Sequence, residues 1–343
     1  MPPHCIPISY HPKIVFTPKV WGRPAVDDRT PLAAAQPGHL TLLERKPPCF
    51  YSGTATHPVY VDHLRPPDGA AEKLPVVMVH GAAHTGTCYL TTPDLRPGWA
   101  PRFAAAGRHV FVPDWPGHGR SPQRPDFATL GSKDIATSLL ALLDEIGPAV
   151  LLTHSASGPM GWWMAEQRPD LVSAVIGIAP GPPANLLREL PDDPDAVFAL
   201  RDDEIAGRPV YAAEDRPVWL NADFAAAYWA NAPRFPQSGF KRYCASIVPE
   251  SARIFNERFN IGGRGLKVRN PDGLRTMPIL IVTGDRDLRH SRAFDATTAD
   301  CFGAEFWWLP DRGVSGNGHM MMIEDNSDEL ASMIVDWLQS RNC

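Results

Sequence analysis

Long apolar runs are missing from this chain of 343 residues, and no stretch approaches the length of a membrane-crossing helix. The N-terminus, Met1-Pro2-Pro3-His4-Cys5-Ile6-Pro7, has neither the positive segment nor the apolar segment of a secretory leader, so the cytoplasm is the expected compartment. The six cysteines never fall in a Cys-x-x-Cys pair, which in a chain this large points to free thiols rather than a disulfide framework. Charge of one sign is scarce too. A net charge of −5 gives no basic field for a nucleic acid, and no basic amphipathic stretch suggests a membrane surface. There is no Gly-x-x-x-x-Gly-Lys phosphate loop, and Gly316-Asn317-Gly318 lacks the third glycine and following helix of a dinucleotide loop. His80 and His84 have the spacing of a zinc-binding helix, but Gly81 stands where its glutamate would be and both follow a strand-like run. Neither a cofactor nor a metal is therefore expected.

What is present suits a globular protein: 44% apolar and 21% charged residues. A chain of this length buries roughly three quarters of its unfolded surface. One large α/β domain carrying an insertion fits as well as two independent units.

The first fifty residues are spaced with prolines and have no sustained period, which predicts an extended arm over 1–50. Residues 51–64 alternate enough for one or two strands of a hairpin, closed by Pro66-Pro67-Asp68-Gly69. Continuous apolar runs then recur near 74–79, 109–112, 149–153, 174–178, 277–282 and 305–309, with helical stretches near 103–106, 135–146 and 160–167. Strand, crossover and strand in repetition predict a mostly parallel sheet flanked by helices. The pattern breaks at Pro180-Gly181-Pro182-Pro183 and resumes only at Met277. A structureless loop of that length is improbable, so 182–272 is expected to be an inserted helical cap, with 51–181 and 273–343 as the core. A terminal helix should start at Asn326, where Asn326 and Glu329 have capping-box spacing, and bury Leu330, Ile334 and Leu338.

Ligands of open parallel sheets bind beyond the carboxyl ends of the strands, and that is where the chemistry-bearing residues fall. Ser155 follows its strand directly in Thr153-His154-Ser155-Ala156-Ser157-Gly158. His80-Gly81 and Gly284-Asp285-Arg286-Asp287 follow theirs, and His319 lies in the loop after the last strand, among Gly313, Gly316 and Gly318. A serine hydroxyl needs a base as it attacks, and histidine has the pKa for that task. A carboxylate, Asp287 with Asp285 in reserve, would fix the imidazole tautomer. The amides of Ala82 and Ala156 would face the tetrahedral oxyanion. Each residue has a bland alternative: Ser155 as a helix N-cap, His319 as a loop histidine, Asp287 as a solvated strand-end charge. The ordered set favours catalysis. His154 is expected to point away from the nucleophile into packing. Trp115, Trp162, Trp163, Trp219 and Trp229 are candidates for core or for an apolar pocket.

In this order of motifs, residues 51–343 resemble an α/β-hydrolase. Within that superfamily, His80-Gly81 to Gly86, Thr91-Thr92-Pro93-Asp94, Gly98-Trp99, the elbow at Ser155 and Gly316-Asn317-Gly318-His319-Met320-Met321-Met322 resemble a small branch of bacterial carboxylesterases. That branch includes enzymes that cleave esters of xenobiotics. The elbow departs from Gly-x-Ser-x-Gly by placing Thr153 and Ser157 where the glycines stand, a departure the branch shares. A second departure concerns the acid. The branch often carries it as glutamate in a Glu-Pro-Gly segment, which here reads Ala179-Pro180-Gly181.

The resemblance implies a serine hydrolase cleaving a carboxylic ester or lactone through an acyl-enzyme on Ser155, with His319 as base. An amide or carbon–carbon bond hydrolase on the same triad, and a non-catalytic ligand-binding protein of this fold, are the alternatives. The expected partner is a small ester or lactone. Neither nucleic acid nor membrane is expected, and a homodimer is left open.

Overall fold

The computed structural model describes residues 43–71, 73–200 and 211–343. Most of the expected proline-rich arm thus lies outside the described residues. Among those described, eight strands form one sheet in the order β1-β2-β4-β3-β5-β6-β7-β8. β1 (Cys49–Gly53) and β2 (Pro58–Leu64) are the expected hairpin, starting two residues before the alternation in sequence. β2 also runs antiparallel to β4 (Val110–Asp114). From there the sheet is parallel through β3 (Val76–Val79), β5 (Ala149–His154), β6 (Val172–Ile178), β7 (Ile279–Thr283) and β8 (Glu305–Trp308).

The apolar runs are continuous because both sheet faces are covered. Val76 and Met78 pack with Trp99, Phe103 and the terminal-helix residues Leu330, Ile334 and Leu338. Their neighbours Val77 and Val79 turn to the other layer, against Ile135, Leu139 and Leu142 of the helix Ser132–Ile146 and Trp162 of Gly158–Gln167. Side chains alternate across a strand, so one run of four residues serves two cores.

The chain passes from β3 to β4 on one side and then to β5 on the other, placing a topological switch point beside β3 and β5. Between β6 and β7 the described elements are short helices, Pro194–Phe198, Ala222–Tyr228, Phe240–Ser246, Ala252–Arg258 and Pro271–Leu274. None of them joins the sheet. Local chemistry starts three of these helices: the Asp193 side chain accepts from Ala196 N, that of Asn221 from Phe224 N and that of Asn270 from Gly273 N.

The terminal helix runs over Ser327–Ser340, but its expected capping box does not form. Asn326 makes no side-chain cap because its amide is used elsewhere. It meets Asn317 through Oδ1 at 2.7 Å and Nδ2 at 3.2 Å. A buried amide partner outcompetes the cap, since an unpaired amide there would cost more than an uncapped helix end.

Candidate active site

β5 ends at His154, and the next residue reverses into a 3-10 turn and then the helix Gly158–Gln167. Ser155 sits at the reversal with φ of 53°, a left-handed conformation that costs a non-glycine residue about 1–3 kcal/mol. Surrounding bonds hold it there. Gly181 N donates to Ser155 O at 2.7 Å, and Ser157 Oγ accepts from His154 N at 2.7 Å while lying 3.0 Å from Val79 O.

The two departures from the glycine pattern have a physical account. Ser157 is fully buried, and its hydroxyl ties the elbow together instead of leaving space. The demand for small residues has moved along the helix. A Cβ at Gly161 would stand 2.7 Å from Thr153 Cγ2, and one at Gly158 would stand 2.5 Å from Gly181 O.

His319 Nε2 lies 2.9 Å from Ser155 Oγ, and its Nδ1 lies 2.7 Å from Asp287 Oδ2. The second oxygen of Asp287 accepts from Arg289 N at 2.7 Å. Asp285, the reserve acid, is engaged elsewhere: Oδ1 accepts from Gly316 N at 2.7 Å and Oδ2 pairs with Arg286 at 3.1 Å. Thus the structure brings Ser155, His319 and Asp287 into one hydrogen-bonded chain and leaves Asp285 outside it. Burial, followed by the nearby charge of His290, holds the His319 pKa well below the ordinary value, which keeps the ring neutral and able to accept a proton. Burial pushes the Asp287 carboxyl up to about 6, so it is ionised above that pH.

Gly81 presses against the elbow, where an added Cβ would lie 3.0 Å from Ser155 Cβ and 2.7 Å from His154 Nδ1. This close approach brings the Gly81 backbone against the serine. Ala156 follows Ser155 in the first turn. The peptide between Gly81 and Ala82 is oriented by His80. Its Nε2 accepts from Trp115 N at 3.0 Å, so its Nδ1 carries the proton and donates to Gly81 O at 2.8 Å.

His154 is buried in packing, as expected, and the ring it packs against is that of His319. Its Nε2 donates to His319 O at 3.0 Å and the two rings are 4.7 Å apart. Trp115 and Trp162 are core, Trp229 packs edge-on against His84, and Trp219 lies on the surface.

Four polar residues around this chain escaped the sequence reading. His290 stacks on His319 with centroids 5.5 Å apart, and its Nδ1 lies 2.9 Å from Asp295 Oδ1. Glu324 accepts from Gly318 N at 2.8 Å and from Asn317 Nδ2 at 2.7 Å, fixing the loop that carries His319. Glu250 reaches Ala83 N at 2.8 Å. Of these, only Glu324 had a local signal, as a carboxylate five residues past His319 beside an apolar Met run. Among the described residues no group of three or more His, Cys, Asp or Glu side chains is placed to hold a metal ion.

Comparison with known proteins agrees with this geometry at the level of fold. The probable secreted lipase phiG from a fungal species is 25% identical over 348 residues, covering 82% of this chain and 86% of the relative. A thermophilic esterase from Thermogutta terrifontis superposes with a TM-score of 0.59 at 18% identity, covering 86% of this chain and 99% of its own. The esterase RhEst1 from Rhodococcus sp. ECU1013 has the same TM-score of 0.59 at 14% identity, covering 86% and 99%. The model of the Alpha/beta hydrolase family matches residues 76–333, well over half of the sequence. The chain belongs to the alpha/beta hydrolase family.

Proposed function

We propose that this protein is a serine esterase that cleaves a carboxylic ester or lactone through an acyl-enzyme on Ser155. The observation that carries the reading is the chain of contacts Ser155–His319–Asp287, at 2.9 and 2.7 Å, drawn from the carboxyl-end loops of β5, β8 and β7. As Ser155 Oγ attacks the carbonyl carbon, His319 Nε2 takes its proton, and the Asp287 carboxylate accepts a hydrogen bond from Nδ1–H and balances the imidazolium. The oxyanion is met by the amides of Ala82 and Ala156. His319 then returns the proton to the leaving alcohol. Water activated by the same ring opens the acyl-enzyme.

Aromatic surroundings support an apolar acyl or alcohol group. Trp229 lies 4.7 Å from the His84 ring, Phe224 packs on Trp229 at 5.1 Å, and Tyr243 meets His84 Nε2 at 2.9 Å. The five described cysteines are free thiols, which supports a reducing compartment such as the cytoplasm as the place of action. Among the described residues no helix is long and apolar enough to cross a membrane.

The test is labelling with a fluorophosphonate followed by peptide mapping, together with turnover of aryl esters, lactones and amides. The adduct should map to Ser155, and Ser155→Ala should retain only the residual rate that binding and oxyanion donors supply, ~10³–10⁴ over water. Unaltered turnover in that variant rejects the mechanism. A preference for amides over esters rejects the substrate class.

A further inference from the structure

Resting on the oxyanion role of Ala82 given above, we propose that Glu250, carried between β6 and β7, is a positioning residue that clamps the Ala82–Ala83 turn in its catalytic orientation. Ala83 has φ of 60°, a strained conformation for a residue with a Cβ, which persists only where neighbours over-determine it. The two residues that hold Ala83 itself come from the β6–β7 segment. Glu250 Oε2 accepts from Ala83 N at 2.8 Å, and Val248 N donates to Ala83 O at 3.0 Å. His84 Nδ1 lies 2.7 Å from Ala82 O, and the other nitrogen of that ring meets Tyr243 OH at 2.9 Å.

The geometry makes this more than a surface contact. A peptide unit is planar, so holding one of its ends fixes the direction of the other. His80 fixes the Gly81–Ala82 plane through Gly81 O, and Glu250 fixes the Ala82–Ala83 plane through Ala83 N. Ala82 is therefore pinned on both sides. The direction of its N–H is set by a core histidine and by a carboxylate 167 residues away from Ala83.

The clamp is itself rigidly built. Glu250 is fully buried, its backbone exchanges two hydrogen bonds with Val218 at 2.8 and 2.9 Å, and Ser251 N donates to Oε1 at 2.7 Å. Its charge is matched by His118, also fully buried, whose Nε2 lies 3.2 Å from Oε2. The Nδ1 of His118 lies 3.1 Å from Pro116 O, so both ring nitrogens face acceptors and only the imidazolium satisfies both. Burial acts against that charge, but attraction to Glu250 outweighs it and raises the His118 pKa. The loop that leaves β4, Asp114-Trp115-Pro116-Gly117-His118-Gly119-Arg120-Ser121, thus gains a purpose. Through His118 it supplies the counter-charge that lets a carboxylate sit beneath the turn.

The experiment compares an aryl ester with its thionoester in the wild type, Glu250→Ala and Glu250→Gln. Donors aimed at a developing oxygen anion serve a thiocarbonyl sulfur poorly, so a well-set site prefers the oxygen ester. Glu250→Ala should lower kcat for the oxygen ester by about 10- to 100-fold with little change in KM, short of the ~10²–10³ loss for deleting a donor. Its oxygen-to-sulfur ratio of kcat/KM should fall about tenfold. Glu250→Gln keeps the shape but can accept from only one of the two amides, and should shift the ratio in the same direction by less. It decides the matter if Glu250→Ala does not fold. A lowered kcat with an unchanged ratio, or an unchanged kcat, overturns the clamp. Fluorophosphonate labelling keeps the two readings apart. With Ser155 labelled and the ratio unmoved, only the clamp falls, whereas an unlabelled wild-type Ser155 removes the hydrolase reading and the clamp with it.

Discussion

Replacing Asp287 with asparagine separates the chemistry of the candidate acid from its contribution to stability. The carboxylate can only accept, so at 2.7 Å it obliges His319 Nδ1 to carry the proton and leaves Nε2 free to take one from Ser155. Asparagine can turn its amide nitrogen to the same place. Nδ1 then accepts, the proton moves to Nε2, and the ring offers the serine a donor where it needs an acceptor. Loss of the correct tautomer in a comparable triad costs about 10⁴-fold in kcat, or about 5.5 kcal/mol of barrier.

Stability should move the other way. Burial raises the Asp287 carboxyl from 3.8 to about 6, so the folded protein holds this proton more tightly than the unfolded chain does. Stability is then full below the unfolded pKa and is lost as pH rises through about 6, a cost of order 3 kcal/mol at pH 8. The uncharged isostere avoids that cost. At pH 8, Asp287→Asn should therefore show about 10⁴-fold lower turnover of an aryl ester with an unchanged or higher melting temperature, while Asp285→Asn stays close to the wild type in turnover. Turnover within tenfold of wild type for Asp287→Asn would refute the assignment. A melting temperature several degrees lower would refute the electrostatic reasoning.

Other expectations follow from the same contacts. Gly161→Val drives side-chain atoms into Thr153, whose Cγ2 is 2.7 Å from the required Cβ, and should destabilise by about 1–3 kcal/mol in thermal melts. An unchanged melt would show that the elbow tolerates a side chain there. Burial pushes Glu324 up from 4.5 to about 7, so its contribution to stability is lost as pH rises through about 7. Glu324→Gln should flatten the decline in melting temperature between about pH 4.5 and 7, and an equally steep decline in the variant counts against a titrating carboxyl at that position.

The strands of the sheet were legible because each parallel strand is covered on both faces, so its run is apolar throughout, as in Val76 to Val79. Ser155, His319 and Asp287 were legible for a related reason. Each directly follows or closely trails a strand, and a parallel sheet gathers such ends in one place. Short helices such as Thr87–Leu90 left no periodic trace, because one turn is too short to show a period. The supporting polar residues were hidden by sequence distance. Glu250 serves Ala83 and His118, and Asn326 gives up its helix to serve Asn317, so neither role has a local signature. The helical segment between β6 and β7 was visible as an interruption of the strand pattern, but which of its residues would reach the candidate site was not.

The position of the candidate acid follows from how β6 and β7 lie together. Ala179, where the resembling branch often carries glutamate, is fully buried among Ile178, Val282 and Met320 and has φ of 41°. Its amide donates to Val282 O at 2.8 Å, and two residues on, Gly181 N braces Ser155 O. The turn after β6 is thus occupied in sealing the core and supporting the elbow as the chain leaves for the insertion. A carboxylate at Ala179 would enter an apolar cluster and meet a large desolvation cost. β6 and β7 are parallel neighbours in register, Ile178 beside Val282, so the two strand ends lie one strand spacing of about 4.8 Å apart. An imidazole that swings in from the loop after β8 can meet a carboxylate from either place. The Gly284-to-Asp287 turn provides one without disturbing β6, which explains how the insertion can leave from β6 while the Ser155–His319–Asp287 chain stays intact.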